Sequence, residues 1–314
     1  INEVIFMYAI IDLGSNTVRM NVYQIKRGKL TLKDSYKETI GLAAYLEHDT
    51  LSKRGLQIAL ETVTGFLSKL KYSDVNKIYL IATATIRKAK NNRAFLKALK
   101  PYKKLDIHLL TGRQEALYDY HAITRGAMEN KGVVVDIGGG STEIVTFEKD
   151  TVLSAFAMPI GSLSSYMQDV DKLIPTEKAA SRIRSKVFQH LSDEDITRPE
   201  GALTIHGIGG TIRATRKLIQ ANSHVDLDSV IPSDRIQPMI DTIHRKNKES
   251  YLTLIRTVPE RIHTIGTGMI ILKAIIDYFD APAVRIYDQG IREGFIMKHL
   301  EEDYPELRPL KLKM

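Results

Sequence analysis

The sequence predicts an α/β protein of two similar domains, each a mixed sheet flanked by helices. Three observations predict it. The chain has 314 residues, and a domain takes roughly 150. A strand–turn–strand pattern that opens at Tyr8 starts again at Gly132. Each opening strand ends on an aspartate followed by small residues, Asp12 and Asp136, 124 positions apart. A repeated meander that runs on into alternating helices and strands is the layout of a layered α/β domain.

Tyr8–Ile11 is a short apolar run, and Val18, Met20 and Val22 alternate after it. Lys26-Arg27-Gly28-Lys29 is a turn, and Leu30–Tyr36 reads as a third strand. Leu56, Leu60, Val63, Phe66, Leu67 and Leu70 fall on one helical face. Ile78–Thr83 is a buried strand, Asn92–Lys100 a helix stopped by Pro101, and Leu105–Leu110 another strand. Thr111 caps the next helix, with Gln114 completing a capping box. In the second half, Gly132–Val135, Glu143–Phe147 and Thr151–Ala157 repeat the meander. Helices are expected at Thr176–Leu191, Thr211–Gln220, Ser233–Lys246 and Gly268–Phe279, and strands at Ala202–His206 and Ala283–Tyr287. The expected domains are 1–120, with 295–314 returning to it, and 121–294. Met7 reads as the natural start and residues 1–6 as an upstream remnant.

Composition narrows the function. With 45 Lys+Arg against 37 Asp+Glu, the net charge is +8. No apolar run approaches the ~20 residues that span a bilayer, and the N-terminus lacks a signal-peptide pattern. Zero cysteines exclude disulfides, thiolate metal sites and a cysteine nucleophile, and fit a reducing cytoplasm. The nine histidines show no metal-ligand spacing. Between Arg87 and Arg113 stand nine basic residues and one acid, Asp106. Such a run is either a solvated helix face or an attractor for a polyanion. Aromatic residues are sparse and tryptophan is absent, which argues against a base-stacking platform and against specific nucleic-acid binding.

Two turns carry the chemistry: Asp12-Leu13-Gly14-Ser15-Asn16-Thr17 and Asp136-Ile137-Gly138-Gly139-Gly140-Ser141-Thr142. Small residues let backbone N–H groups approach an anion. A strand-terminal carboxylate can hold a hydrated Mg²⁺ against the same phosphate. One such hairpin is usually only a hairpin; two copies behind aspartates favour phosphate. Gly207-Ile208-Gly209-Gly210-Thr211 ends a strand and opens a helix, whose N-terminus favours negative charge. It lacks both the P-loop ending and the dinucleotide glycine spacing.

These turns occur in order with Ala82-Thr83 and Arg87, Glu115-Ala116, Glu143, and Gly290-Ile291-Arg292-Glu293-Gly294. In that order they resemble the exopolyphosphatase and guanosine pentaphosphate phosphohydrolase (Ppx/GppA) family, in its short two-domain form. The resemblance covers about Tyr8 to Gly294. It implies two RNase H-like domains of the actin-like ATPase superfamily with the active site in the interdomain cleft. It further implies Mg²⁺-dependent hydrolysis of a terminal phosphoanhydride. Glu115 matches the catalytic base, which orients and deprotonates the attacking water. Asp136 and Glu143 match the acids at the divalent ion, with Asp12 supporting it through water. Arg87 matches the phosphate-binding arginine. Ser15, Asn16, Gly138, Gly139, Gly140, Ser141, Gly209, Gly210 and Thr211 would donate to phosphate. Gln114 stands where many members carry a second glutamate. Arg261-Ile262-His263 stands where the family often has Arg-x-Asp, and Arg292 and Glu293 read as structural.

The expected activity is removal of terminal orthophosphate from inorganic polyphosphate. Guanosine pentaphosphate or another nucleoside phosphate is the alternative substrate, and a non-catalytic polyphosphate or alarmone sensor is the alternative of another class. A homodimer is open; no membrane partner is expected.

Overall fold

The computed structural model describes residues 6–71, 73–124, 129–223, 226–305 and 311–313. Most of the expected upstream remnant, residues 1–5, lies outside them. The chain divides into two compact units, residues 1–114 with 291–314, and residues 115–290. The first division thus falls six residues before position 120, and the return begins at 291 instead of 295.

The first unit opens with β1 (Phe6–Leu13), β2 (Thr17–Lys26) and β3 (Lys29–Thr39). The two-residue strands β4 (Leu46–Glu47) and β5 (Thr50–Leu51) follow. Then come α1 (Lys53–Lys69), β6 (Lys77–Ala82), α2 (Ala84–Lys88), α3 (Asn92–Leu99) and β7 (Leu105–Leu109). α4 (Gly112–Ile123) carries the chain into the second unit. There β8 (Lys131–Ile137), β9 (Thr142–Glu148) and β10 (Thr151–Met158) repeat the meander. α5 (Ser162–Asp169), α6 (Glu177–Asp193), β11 (Thr204–Ile208), α7 (Gly209–Ser223) and β12 (Val230–Pro232) come next. α8 (Ile236–His244), α9 (Lys248–Thr257), α10 (Ile265–Phe279) and β13 (Ala283–Ile286) complete the unit. α11 (Ile291–Asp303) and β14 (Lys311–Lys313) belong to the first unit.

The sheets read β14-β3-β2-β1-β6-β7 and β10-β9-β8-β11-β13-β12. In each, a three-strand antiparallel meander is followed by two parallel strands beside its first strand. Two mixed-sheet α/β domains are what the sequence predicts; five strands of each sheet share one order, and the sixth lies at opposite edges, β14 beside β3 and β12 beside β13. Several elements were not legible: α2, α5, α9 and β12 are short or polar. α10 starts three residues before Gly268, and the segment from Ser233 opens as a 3₁₀ turn before α8.

Strand alternation sorts side chains between two faces. In the first unit Ala9, Ile11, Leu13, Val18, Met20 and Val22 face the core under α1. α1 is started by Ser52, whose side chain accepts from Gly55 N at 3.1 Å. Tyr8, Ile10 and Asp12 alternate onto the opposite face, which α11 covers; Phe295 of α11 meets Tyr79 edge-on at 5.4 Å. In the second unit Val133, Val135 and Ile137 face α6, α7 and α10. Val134, Val145 and Phe147 face Ala116, Tyr120 and Ile123 of α4.

Beneath the third glycine turn, His206 is fully buried beside Phe147 and against the backbone of Gly132. Its Nδ1 lies 3.0 Å from the Tyr287 hydroxyl. Burial holds its pKa down at about 4, so the native ring is neutral. Unfolded chains bind this proton near pH 6.5, so between about 6.5 and 4 the unfolded state gains a proton the native state refuses. Stability from this group is full above pH 6.5 and falls by about 3 kcal/mol as pH drops to 4. Urea unfolding at pH 7 and 4.5 reads the loss, and His206→Phe should flatten the profile in that window. An unchanged slope in the variant would contradict the assignment.

Candidate functional site

Each unit supplies one set of the residues singled out in the sequence. In the second unit the turn between β8 and β9 closes with Gly138 N donating to Ser141 O at 3.0 Å. Its carbonyls face α5. Ser162 N donates to Gly138 O, and Leu163 N and Ser164 N donate to Gly139 O, each at 2.9 Å. This packing needs a glycine at 161, where a Cβ would lie 2.5 Å from the Gly139 carbonyl. The first unit repeats the device. Gly14 N donates to Thr17 O, Ile40 N and Gly41 N donate to Asn16 O, and Ala43 N donates to Ser15 O at 2.8 Å. In both units the turn carbonyls are taken by the segment after the third strand.

Asp136 and Glu143 sit directly opposite each other in the β8–β9 pair. By alternation they share the face of Val134 and Val145, over which α4 lies. Glu115, in the first turn of α4, is only 5% exposed, and Glu143 is equally buried. The Thr111–Gln114 capping box forms as expected, with Thr111 N donating to Gln114 Oε1 at 2.9 Å and Gln114 N to Thr111 Oγ1 at 3.2 Å. Two like charges directly across a strand pair repel, and a cation between them offsets that cost. Among the described residues no three acidic or imidazole side chains form a ready cage. That donor set fits Mg²⁺, which is held by one or two carboxylates together with substrate oxygens and water.

The third turn closes on this pair. Gly209 has φ +83°, and a Cβ there would fall 2.0 Å from Asp136 Oδ1. The Arg261 guanidinium lies against the Gly210 backbone at the start of α7. Burial pushes it below its usual range; the Glu260 carboxylate opposes that, Arg213 reinforces it and Asp136 opposes it. Two expected phosphate donors use their hydroxyls internally. Ser141 Oγ donates to Glu143 Oε1 at 2.6 Å, and Thr211 Oγ1 donates to Ile137 O at 2.7 Å. Only their backbone amides remain for an anion.

In the first unit Ser15 and Asn16 are buried in the β1–β2 turn. Thr83 N donates to Leu13 O, tying the end of β6 to that turn, and Arg87 follows on α2. Arg87 NH1 donates to Leu110 O at 2.6 Å. The Asp12 carboxylate pairs with the Arg292 guanidinium at 3.2 Å. Burial pushes its pKa up, and the guanidiniums of Arg292 and Arg19 oppose that. His263 packs on Tyr166 at 5.4 Å, and burial holds it down.

Sequence reasoning passed over Gly161 and gave Arg261 no role. An Ile-Gly-Ser after a strand was the only signal for the first, and only three-dimensional packing reveals the second. Gly209→Ala should cost about 1–3 kcal/mol through its left-handed backbone and drive the Asp136 carboxylate out of place. Denaturant unfolding and a crystal structure of the variant would read both effects. An unmoved carboxylate would mean that the turn does not set its position.

Comparison with known proteins gives the family of the chain. The family model of the Ppx/GppA phosphatase family matches residues 21–303. A protein of Haemophilus influenzae that carries the provisional name exopolyphosphatase is 27% identical over 299 residues, covering 94% of this chain and 92% of that one. The crystal structure of the Aquifex aeolicus member of the family superposes with a TM-score of 0.77 at 26% identity, covering 96% of this chain and 99% of that one. An exopolyphosphatase from Cytophaga hutchinsonii superposes at 0.83 with 16% identity, covering 94% and 98%, and speaks for the fold. With a match over most of its length, the chain belongs to the Ppx/GppA phosphatase family, hydrolases that act on phosphoanhydride bonds.

Proposed function

We propose that this protein is an exopolyphosphatase that removes orthophosphate from the end of inorganic polyphosphate with Mg²⁺. The observation that carries the reading is the pair Asp136 and Glu143, opposed across β8–β9 on the face that α4 covers with a buried Glu115. In this reading each unit supplies phosphate-binding groups. The amides of Gly139–Ser141 and Gly209–Thr211 donate to the terminal phosphate oxygens, while that of Gly138 closes the turn onto Ser141 O. In the first unit Ser15, Asn16 and Arg87 are the phosphate-binding residues. Glu115 orients a water and accepts its proton as the water oxygen bonds to the terminal phosphorus. The bridging P–O bond then breaks, releasing orthophosphate and a chain one unit shorter. Asp136 and Glu143 would hold the ion, which when bound screens the phosphate oxygens from the incoming nucleophile. The rest is positioning and charge stabilisation, the main demands of phosphoryl transfer.

The choice of a polymer rests on α3. Arg93, Lys97 and Lys100 lie on its exposed side while Phe95 and Leu99 are buried. Lys88, Lys103 and Arg113 are exposed as well. A row of cations outside the turns suits a substrate longer than a nucleotide's phosphates.

Glu115→Gln should lower kcat about 10²–10⁴-fold with KM nearly unchanged, measured as orthophosphate release; turnover near the wild-type rate would remove Glu115 from the mechanism. A release panel with Mg²⁺ across polyphosphates of several lengths and guanosine pentaphosphate tests the substrate. Preference for long polymers is expected, and strong preference for the nucleotide would move the assignment to it. Salt gives an independent check, since surface attraction is screened over about 10 Å at 0.1 M. KM for long chains should rise with ionic strength more steeply than KM for short ones. Equal sensitivity at every length would remove the basic track.

A further inference from the structure

The two units repeat more than their strand order. Asp12 opposes Arg19 in the β1–β2 register, and Asp136 opposes Glu143 in the β8–β9 register. The two strand pairs are joined by turns of equal length. The helix over each aspartate face begins alike: Gly112-Arg113-Gln114-Glu115-Ala116-Leu117 for α4, Gly290-Ile291-Arg292-Glu293-Gly294-Phe295 around the start of α11. Glu293 therefore stands in the first unit where Glu115 stands in the second. Arg19 stands where Glu143 does, and Arg292 where Gln114 does. The first unit thus carries the same site with two guanidiniums written into it.

The surroundings follow that substitution. The side chains of Arg292 and Asp12 are only 12% and 16% exposed, and NH1 lies 3.2 Å from Oδ2. Glu293 accepts from the Tyr23 hydroxyl and from Asn21 Nδ2 at 3.2 Å. Asn21 Nδ2 also donates to the Tyr23 hydroxyl at 2.8 Å, and Ser35 Oγ donates to Asn21 Oδ1 at 2.9 Å. A polar chain thus runs from β3 through β2 to the first turn of α11 and on to the end of β1. Two carboxylates, Asp12 and Glu293, are matched by two cations, Arg19 and Arg292. Removing one partner of such a buried set strands the other's charge.

We propose that Arg292 is a positioning residue for the first half-site: a fixed internal cation that holds Asp12, and through it the Gly14–Thr17 turn. It takes the place in the first unit that a divalent ion would take beside Asp136 and Glu143 in the second. Asp12 then anchors the turn and is not an ion ligand. The inference rests on the exopolyphosphatase reading for its kinetic consequence, but its structural consequence needs no substrate.

The test uses the full-length protein with Arg292→Gln, Arg292→Lys and Asp12→Asn. Arg292→Gln installs the residue found at position 114. It should speed amide exchange at Gly14–Thr17 at least tenfold and raise KM for polyphosphate about tenfold, with kcat within threefold. Arg292→Lys keeps the charge and should restore KM to within threefold of wild type, which loss of packing alone does not predict. Asp12→Asn should also loosen the turn while leaving the Mg²⁺ concentration for half-maximal rate within twofold. The proposal is overturned if Arg292→Gln leaves exchange at the turn unchanged, or if Asp12→Asn shifts the Mg²⁺ requirement tenfold. If Arg292→Gln fails to fold, Arg292→Lys and Asp12→Asn still decide through the same exchange measurement. If the wild-type protein releases no orthophosphate from any substrate, the hydrolase reading falls, and the exchange result alone judges Arg292.

Discussion

A carboxylate brought onto the covered face of a sheet has to meet positive charge, because an ionised group without a partner is costly to bury. Both units are built around that constraint. Strand alternation leaves no choice: with Val134 under α4, Asp136 two residues on takes the same face, and Glu143 opposite it does too. With Ile11 and Leu13 in the α1 core, Asp12 turns to the α11 face. Each aspartate ends its strand beside a hairpin whose carbonyls are already bonded. Each aspartate thus lies beside a glycine turn held by its own carbonyls and by the segment after the third strand.

The two units answer the constraint differently. In the first, Arg292 and Arg19 are the counter-charges, and α11 brings one of them from 280 residues away in sequence. In the second, Glu143 stands where the first has an arginine, and the Arg261 guanidinium interacts with Asp136. One repeated framework thereby carries an aspartate opposite an arginine in the first unit and opposite a glutamate in the second. The closeness of Asp136 to the Gly209 backbone, and of Arg261 to Gly210, shows how little spare volume the second arrangement has.

Much of this was legible in the sequence because it is local. The two meanders, the Thr111–Gln114 capping box and the glycine turns follow from spacing over a few residues, and the strands and helices formed close to where periodicity put them. What was not legible depends on distant packing. α9 has a polar sequence and is nucleated by Asn247, whose side chain accepts from Ser250 N at 2.8 Å; its apolar stripe was too thin to read. The hydroxyls of Ser141 and Thr211 look like phosphate donors until Glu143 and Ile137 are seen beside them. Arg19, Asn21 and Tyr23 alternate like the outer face of an edge hairpin, and nothing local says that α11 covers them. The partner of Asp12 lay in the segment the sequence marked as structural, and the structure gives that word a content.

The proposed function and the role proposed for Arg292 together require an ion between Asp136 and Glu143 and none at Asp12. Crystals grown with Mn²⁺ and inorganic phosphate, with anomalous scattering recorded from the metal, test that requirement most directly. The account predicts an anomalous peak between Asp136 and Glu143, with phosphate at the Gly139–Ser141 and Gly209–Thr211 amides, and no peak at Asp12. A peak at Asp12, or none between Asp136 and Glu143, would contradict it.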